Sequence, residues 1–116
     1  MTTKTANWNR MPWSTVRPGV ESKAFSAAGG TVTYNRLSPG HEPSPHSHPH
    51  EQVIYIAEGE VDLHIGDEVV RLGPGGLLAV PPNMRHYAVV VGDKPVINID
   101  FFTPRREDYA DSEQTA

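Results

Sequence analysis

Histidine is concentrated in one short stretch of the chain, where four of the six histidines fall: His41, His46, His48 and His50. In an extended backbone, residues two apart point to the same side, so His46 and His48 share a face, and Gln52 joins them if the strand continues. One more donor would close a metal site. His86 can supply it, because it follows a Pro-Pro-Asn turn at the start of another apolar run. Imidazole nitrogens with an amide oxygen suit a divalent first-row transition metal.

The predicted ligand set, His46, His48, Gln52 and His86, contains no carboxylate. A metal held this way would keep most of its positive charge, which favours binding and polarising a small anionic substrate. The residues do not choose among zinc, nickel, manganese, iron and copper. We leave His50 outside the set because Pro49 breaks the alternation, and we expect His41 to be a loop residue. Chance enrichment of histidine in a solvated loop is the simpler alternative.

Length and composition define the class of protein that must position these side chains. The chain has 116 residues, and its 11 Pro and 10 Gly suit one domain of short strands rather than a helical bundle. The absence of cysteine excludes a disulfide scaffold and thiolate metal ligands. A net charge of −4 gives no sign of nucleic-acid binding. We find neither a membrane-spanning apolar run nor a secretory leader, so we expect a cytoplasmic protein.

Short apolar runs alternate with Gly, Pro and Asp turns about every ten residues, which is typical of an all-β sandwich or barrel. We expect an N-terminal arm over 1–12, a barrel over 13–106 and an acidic tail over 107–116, in which 107–110 could form a short helix. The predicted strands are Thr31–Leu37, Gln52–Ala57, Val61–Ile65, Val69–Leu72, Leu77–Val80, His86–Val91 and Val96–Phe102, with a further one near Lys23–Ala27.

The last predicted strand carries polar chemistry on one face. Asp100 and Phe102 share that face, and a carboxylate within such an apolar strand is costly unless it meets water, a partner or a site. Arg106 follows Pro104, near the predicted barrel mouth, and arginine binds carboxylates bidentately. The structural alternatives are a core position for Phe102 and a surface ion pair for Arg106. Pocket positions are also open to three residues that we cannot rank: Arg36, Tyr55 and Tyr87.

Two stretches resemble the paired motifs of the cupin family. Residues 40–59 read GHEPSPHSHPHEQVIYIAEG, and residues 75–86 read GGLLAVPPNMRH. The resemblance implies an all-β cupin double-stranded β-helix (jelly-roll) barrel, often dimeric, with a metal inside. The sequence departs from the motifs where Gln52 replaces the usual Glu and Asn83 replaces a Gly.

The strings HSHPHEQ at 46–52 and DFFTPRRED at 100–108, together with Trp13 and the stretch 18–20, resemble the pectin-degradation cupins. Those proteins ketonise 4,5-unsaturated uronates from pectin or alginate, and in them a Gln takes the Glu position. The resemblance implies metal ligation by the set named above. It also implies an acid/base role for Asp100, substrate packing by Phe102 and carboxylate binding by Arg106.

Two other functions share this ligand set. One is a different metal cupin enzyme, an oxygen-using dioxygenase or a polyketide cyclase. The other is a cupin that binds a sugar or metal without catalysis. We expect a homodimer, because Trp8, Met11 and Trp13 make the N-terminal region more apolar than a free arm, and we expect neither nucleic acid nor membrane as a partner.

Overall fold

The computed structural model describes residues 3–109 and 111. Over these residues the chain forms one 3-10 turn, Trp8–Arg10, and nine strands. The strands are β1 (Ser14–Arg17), β2 (Val20–Ser26), β3 (Thr31–Leu37), β4 (Glu51–Glu58), β5 (Glu60–Ile65), β6 (Glu68–Leu72), β7 (Leu77–Val80), β8 (His86–Val91) and β9 (Val96–Thr103).

The strands form two antiparallel sheets that face each other. The larger has the order β1-β2-β3-β9-β4-β7, and the smaller has the order β6-β5-β8. The core lies between them and is made by alternate, inward-facing residues, including Ile54, Ile56, Val61, Leu63 and Val96. The all-β prediction is therefore confirmed, and Val61 and Leu63 of β5 are buried.

The predicted strands β3, β7 and β8 have the observed bounds, and four others differ only by residues at their ends. The first two strands were predicted less well. β1 was missed because Ser14, Thr15 and Val16 are all exposed, so this edge strand shows no alternation. β2 begins at Val20 rather than near Lys23, because polar Glu21 and Ser22 hide its start in the sequence.

Two tight turns set the positions of the strands that carry the histidines. Gly66 and Asp67 form a two-residue hairpin turn between β5 and β6, and Gly66 has a φ of 56°. Asn83 has a φ of 66°, a conformation that Asn tolerates better than most side chains. Its N–H donates to the His48 carbonyl oxygen at 2.7 Å. The Asn83 turn therefore ties the loop of His48 to the start of β8.

The N-terminal residues pack against the outside of the larger sheet. Trp8 and Trp13 lie 5.5 and 5.7 Å from the Tyr34 ring, and Met11 is buried. The aromatic residues that suggested a second subunit thus cover the chain's own sheet. In the tail, residues 107 and 108 form a turn rather than the start of a helix, and Ala110 lies outside the described residues. The three segment boundaries stay predictions.

Across residues 3–109 and 111, no helix is long and apolar enough to cross a membrane.

Candidate metal centre and adjoining cavity

The fold brings the three predicted histidine ligands together. A backbone bridge pairs His46 with His86, with N···O distances of 3.1 and 2.9 Å, and it joins the loop before β4 to the start of β8. Their ring centroids lie 4.3 Å apart, and the His48 ring lies 4.9 Å from that of His86. Donor atoms of all three lie within 4.8 Å of one another. Among the described residues, this cluster can hold a metal ion.

Hydrogen bonds to the backbone select which ring nitrogen faces the centre. The Nδ1 atoms of His46, His48 and His86 lie 2.6, 2.9 and 2.8 Å from the carbonyl oxygens of Ser44, His50 and Met84. A carbonyl oxygen can only accept, so each Nδ1 carries the proton and each neutral ring presents the Nε2 lone pair. The Nε2 atom of His86 is buried and has no hydrogen-bond partner among the described residues. Metal-binding histidines are commonly oriented in this way.

Gln52 adds an oxygen to the three nitrogens. Its Oε1 lies 3.1 Å from Nε2 of His48. With the proton of His48 on Nδ1, both facing atoms are acceptors, and a cation between them would satisfy both. The Gln52 side chain also donates to Asp100, which fixes its amide so that Oε1 faces the histidines. The donor set of three imidazoles and one amide oxygen therefore fits a transition metal ion.

Burial keeps His48 and His86 in the neutral form that a metal needs. Loss of hydration lowers the pKa of His86 to about 4. Burial also lowers the pKa of His48, and this effect outweighs the hydrogen bond that the protonated ring would donate to Gln52. The rings of His48 and His86 are thus ready to offer their lone pairs at neutral pH.

Asp100 lies on the inner face of β9, beside the candidate metal centre. The Nδ2 atoms of Asn98 and Asn35 donate to its two carboxylate oxygens at 2.7 and 3.1 Å. Burial raises the pKa of Asp100 to about 7, although the hydrogen bonds from Gln52, Asn98 and Asn35 and the charge of Arg106 oppose the rise. Near neutral pH this group can therefore both donate and accept a proton.

Phe102 and Arg106 complete the sequence-predicted set and lie next to each other. The Phe102 ring is buried and meets His48 edge-on, with centroids 5.5 Å apart. The Arg106 guanidinium carbon lies 4.8 Å from the centre of the Phe102 ring. Arg106 is buried and forms an ion pair with Asp108, so it is not the surface ion-pair former that the sequence left open.

A cavity of about 410 Å³ lies between the sheets and reaches the candidate metal centre. Its polar end is lined by His46, Gln52, His86 and Asp100, with Phe102 beside them. The deeper wall is apolar and belongs to the core, where it is lined by Ile54, Ile56, Val61, Leu63 and Val96. This volume falls within the range of small-molecule sites.

Several residues raised by the sequence lie away from the cavity. The side chain of Tyr55 is exposed on the outer face of the larger sheet, and Arg36 binds Glu21 there at 2.6 Å. Tyr87, in contrast, is among the residues that line the cavity, and its ring stacks on that of His64, with centroids 4.3 Å apart, on the smaller sheet. His41 is buried and packs beneath the β1–β2 turn. The packing is so close that a side chain at Gly19 would place its Cβ 2.7 Å from the Cβ of His41.

Sequence reasoning missed part of the site. Asn98 was not singled out in the sequence, yet its hydrogen bond to the Asp100 carboxylate is shorter than that of Asn35. Its position two residues before Asp100 was the available signal. Asn35 comes from β3, whereas Asp108 and Tyr109 come from the tail. Alternation along one strand cannot show which residues of other segments reach the site.

Comparisons with known proteins agree with this architecture. The family model of the cupin domain matches residues 33–102. The structure is similar to that of KdgF from Halomonas sp., with a TM-score of 0.82 and 27% identity, over 92% of this chain and 98% of that one.

Two curated relatives match parts of the sequence. Acireductone dioxygenase of Bacillus pumilus (strain SAFR-032) is 37% identical over 49% of this chain and 35% of its own length. Polyketide synthase CurC of Streptomyces cyaneus is 27% identical over 83% of this chain and 63% of its own. This chain thus spans less than two thirds of either relative. The family match covers more than half of the chain, the fold is the jelly-roll barrel that the motifs predicted, and the chain belongs to the cupin family.

Proposed function

We propose that the protein is a metal-dependent enzyme that ketonises 4,5-unsaturated uronates, the sugar acids released from pectin or alginate. The observation that carries this proposal is the buried Asp100 carboxyl group. It lies beside three histidines and a glutamine that fit a metal, and its pKa is about 7. The likeness to KdgF and the resemblance of the ends of the chain to the pectin-degradation cupins support it.

The reaction needs protonation of a carbon, addition of water and opening of the sugar ring. His46, His48, His86 and Gln52 would hold the metal ion, which when bound supplies Lewis-acid stabilisation of negative charge on substrate oxygens. Phe102 packs against the sugar, and Arg106 binds its carboxylate.

Asp100 carries the proton in this mechanism. In its neutral form it gives a proton to the olefinic carbon of the enol ether. Its carboxylate then takes a proton from the water that adds to the neighbouring, ring-oxygen-bearing carbon. The resulting hemiketal collapses to a ketone as its C–O bond to the ring oxygen breaks and that oxygen takes up the hydroxyl proton. Atoms and charge balance, and no redox cofactor is needed.

A ketonisation assay tests the proposal. The protein, with its metal content measured, is incubated with a 4,5-unsaturated monouronate, and the absorbance of the conjugated double bond is followed against the spontaneous rate. We expect faster loss, which His48→Ala abolishes together with bound metal and Asp100→Asn abolishes without metal loss. His64→Ala and Asp62→Asn, on the outer face of the smaller sheet, are the matched controls. A metal-loaded wild type that matches the spontaneous rate would refute the proposal.

The apolar deep wall of the cavity favours a second candidate, another metal cupin enzyme whose substrate has an apolar part. The names of the curated relatives point to dioxygenase or polyketide chemistry. This candidate predicts turnover of a non-sugar substrate by the same ligand set. A sugar- or metal-binding cupin without catalysis would instead bind ligand in both the wild type and Asp100→Asn and convert it in neither.

A further inference from the structure

Arg106 lies in a corner formed by two aromatic rings. Its guanidinium carbon is 4.8 Å from the centre of the Phe102 ring and 4.2 Å from that of Tyr109, and the two rings stand at 88° to each other. Only 9% of the Arg106 side chain is exposed. A guanidinium this deeply buried needs a counter-ion, because an unpaired buried charge is strongly destabilising.

The counter-ion in this structure is Asp108. Nε and Nη2 of Arg106 donate to its two carboxylate oxygens at 2.9 and 2.7 Å, a bidentate pair. Nη1 is buried and has no partner among the described residues. Asp108 and Tyr109 line the cavity, and Arg106 lies behind them. A ligand carboxylate can therefore form this bidentate pair only in place of Asp108.

The exchange needs only a rotation of the Asp108 side chain, which is 58% exposed and can turn to solvent. The backbone on either side is held in place. The Arg106 N–H donates to the Thr31 hydroxyl at 2.9 Å, and the Asp111 carboxylate accepts from the Ser26 N–H at 2.8 Å. Tyr109 can thus stay against the guanidinium while its anionic partner changes.

We propose that the Asp108 carboxylate is the resident counter-ion of Arg106 in the empty site and that a substrate carboxylate takes its place. The inference rests on the proposed function, since that function supplies a carboxylate ligand. Asp108 then acts as a specificity-determining residue. A sugar acid can replace one anion with another, whereas a neutral sugar would leave the buried guanidinium unpaired, so only the acid displaces Asp108.

Calorimetry with a saturated, unreactive monouronate tests the exchange in the metal-loaded protein. Asp108→Asn weakens the internal competitor, so we expect it to bind the uronate about five- to tenfold more tightly than the wild type. The uncharged parent sugar should show no gain. Glu107→Gln is the matched control, because Glu107 is 80% exposed and pairs with Arg105. In an Arg106→Gln background, the gain from Asp108→Asn should disappear.

Equal or weaker uronate binding by Asp108→Asn would overturn the inference. Weaker binding would mean that Asp108 orients Arg106 for the substrate rather than competing with it. If neither the wild type nor the variant binds uronate, the proposed function fails and the inference falls with it. A wild type that binds uronate without a gain in the variant refutes the inference alone.

A second measurement covers the case in which Asp108→Asn folds poorly. In the zinc-loaded wild type, the carboxyl ¹³C resonance of Asp108 can be titrated with and without uronate. Arg106 holds the pKa of Asp108 below its ordinary value through their hydrogen bonds. Saturating uronate should release the carboxylate and raise that pKa toward its ordinary value. A pKa that uronate leaves unchanged would overturn the exchange.

Discussion

Substitution of Asn98 tests whether hydrogen bonding sets the proton affinity of Asp100. Its Nδ2 atom donates to Asp100 at 2.7 Å, whereas Asn35 donates at 3.1 Å and also serves the Thr33 hydroxyl. A donor stabilises the carboxylate and lowers its pKa, so removal of the Asn98 amide must raise the pKa of Asp100. Asn98→Leu removes the donor and keeps a similar volume in a buried position.

The size of the shift follows from the strength of a charged hydrogen bond. Such a bond contributes about 1.5–3 kcal/mol, and one pKa unit corresponds to roughly 1.4 kcal/mol. We therefore expect the pKa of Asp100 to rise from about 7 to roughly 8 or above in Asn98→Leu. The longer, shared bond of Asn35 predicts a smaller rise for Asn35→Leu.

Two assays report this shift. In the proposed mechanism the free enzyme must hold the proton on Asp100, so kcat/KM falls above its pKa, and the alkaline limb should move up by about one pH unit in Asn98→Leu. The carboxyl ¹³C shift of Asp100 in the metal-free protein gives its pKa without substrate. A limb and a resonance that both stay in place, or move to lower pH, would refute the hydrogen-bond argument. If the resonance moves and the limb does not, another group controls the rate.

Four further predictions follow from the same contacts. If the free metal concentration is about a hundred times its Kd, removal of the metal should lower the Tm by roughly 10 °C in a thermal scan. Added metal should leave the Tm of His48→Ala unchanged. Because burial lowers the pKa of His86 to about 4, bound metal measured after dialysis should persist below the ordinary imidazole value of 6.5 and be lost toward pH 4; complete loss already at pH 6 would contradict the ligand assignment. The pKa of Asp100 is higher in the folded state than its ordinary 3.8, so its contribution to stability is full below pH 3.8 and is lost as the pH rises to about 7. In urea denaturation of the metal-free wild type, the free energy of unfolding should therefore fall by up to about 4 kcal/mol over this range, and Asp100→Asn should lack this part of the pH dependence. The outer face of the larger sheet exposes four apolar or aromatic residues that the strand register places side by side: Val53, Tyr55, Leu77 and Phe101. We expect the homodimer to form through this face, so light scattering should give a mass of twice 12.7 kDa. Phe101→Asp should shift the measured mass toward that of the monomer, whereas Val69→Asp on the smaller sheet should leave it unchanged.

Much of the barrel could be predicted because alternation is a local signal. In β5 the apolar residues Val61 and Leu63 alternate with polar ones, so the strand and its inward face were both visible in the sequence. In β1 no residue is buried, and the sequence carried no alternation to detect. The prediction failed where the residues of a strand do not alternate between apolar and polar.

The candidate site was predictable in its ligands but not in its supporting contacts. His46 and His48 are neighbours in sequence, and the motif spacing pointed to His86 across the barrel. The contacts of Asn35 with Asp100 depend on the pairing of β3 with β9, which places Thr33 opposite Asp100. The positions of Asp108 and Tyr109 at the cavity depend on the path of the tail after β9. Such long-range placement leaves no pattern in a single sequence.

The departure at Gln52 connects the candidate metal centre to Asp100, the proposed proton carrier. A glutamate there could offer an oxygen to a metal, but in its ionised form it has no proton to donate to Asp100, and its charge would repel that carboxylate. The amide performs both tasks, with Oε1 directed at His48 and its N–H group at Asp100. It also leaves the metal's charge undiminished beside a group whose pKa is raised by burial. A neutral oxygen ligand at this position therefore suits a site that must polarise an anionic substrate and hold a transferable proton.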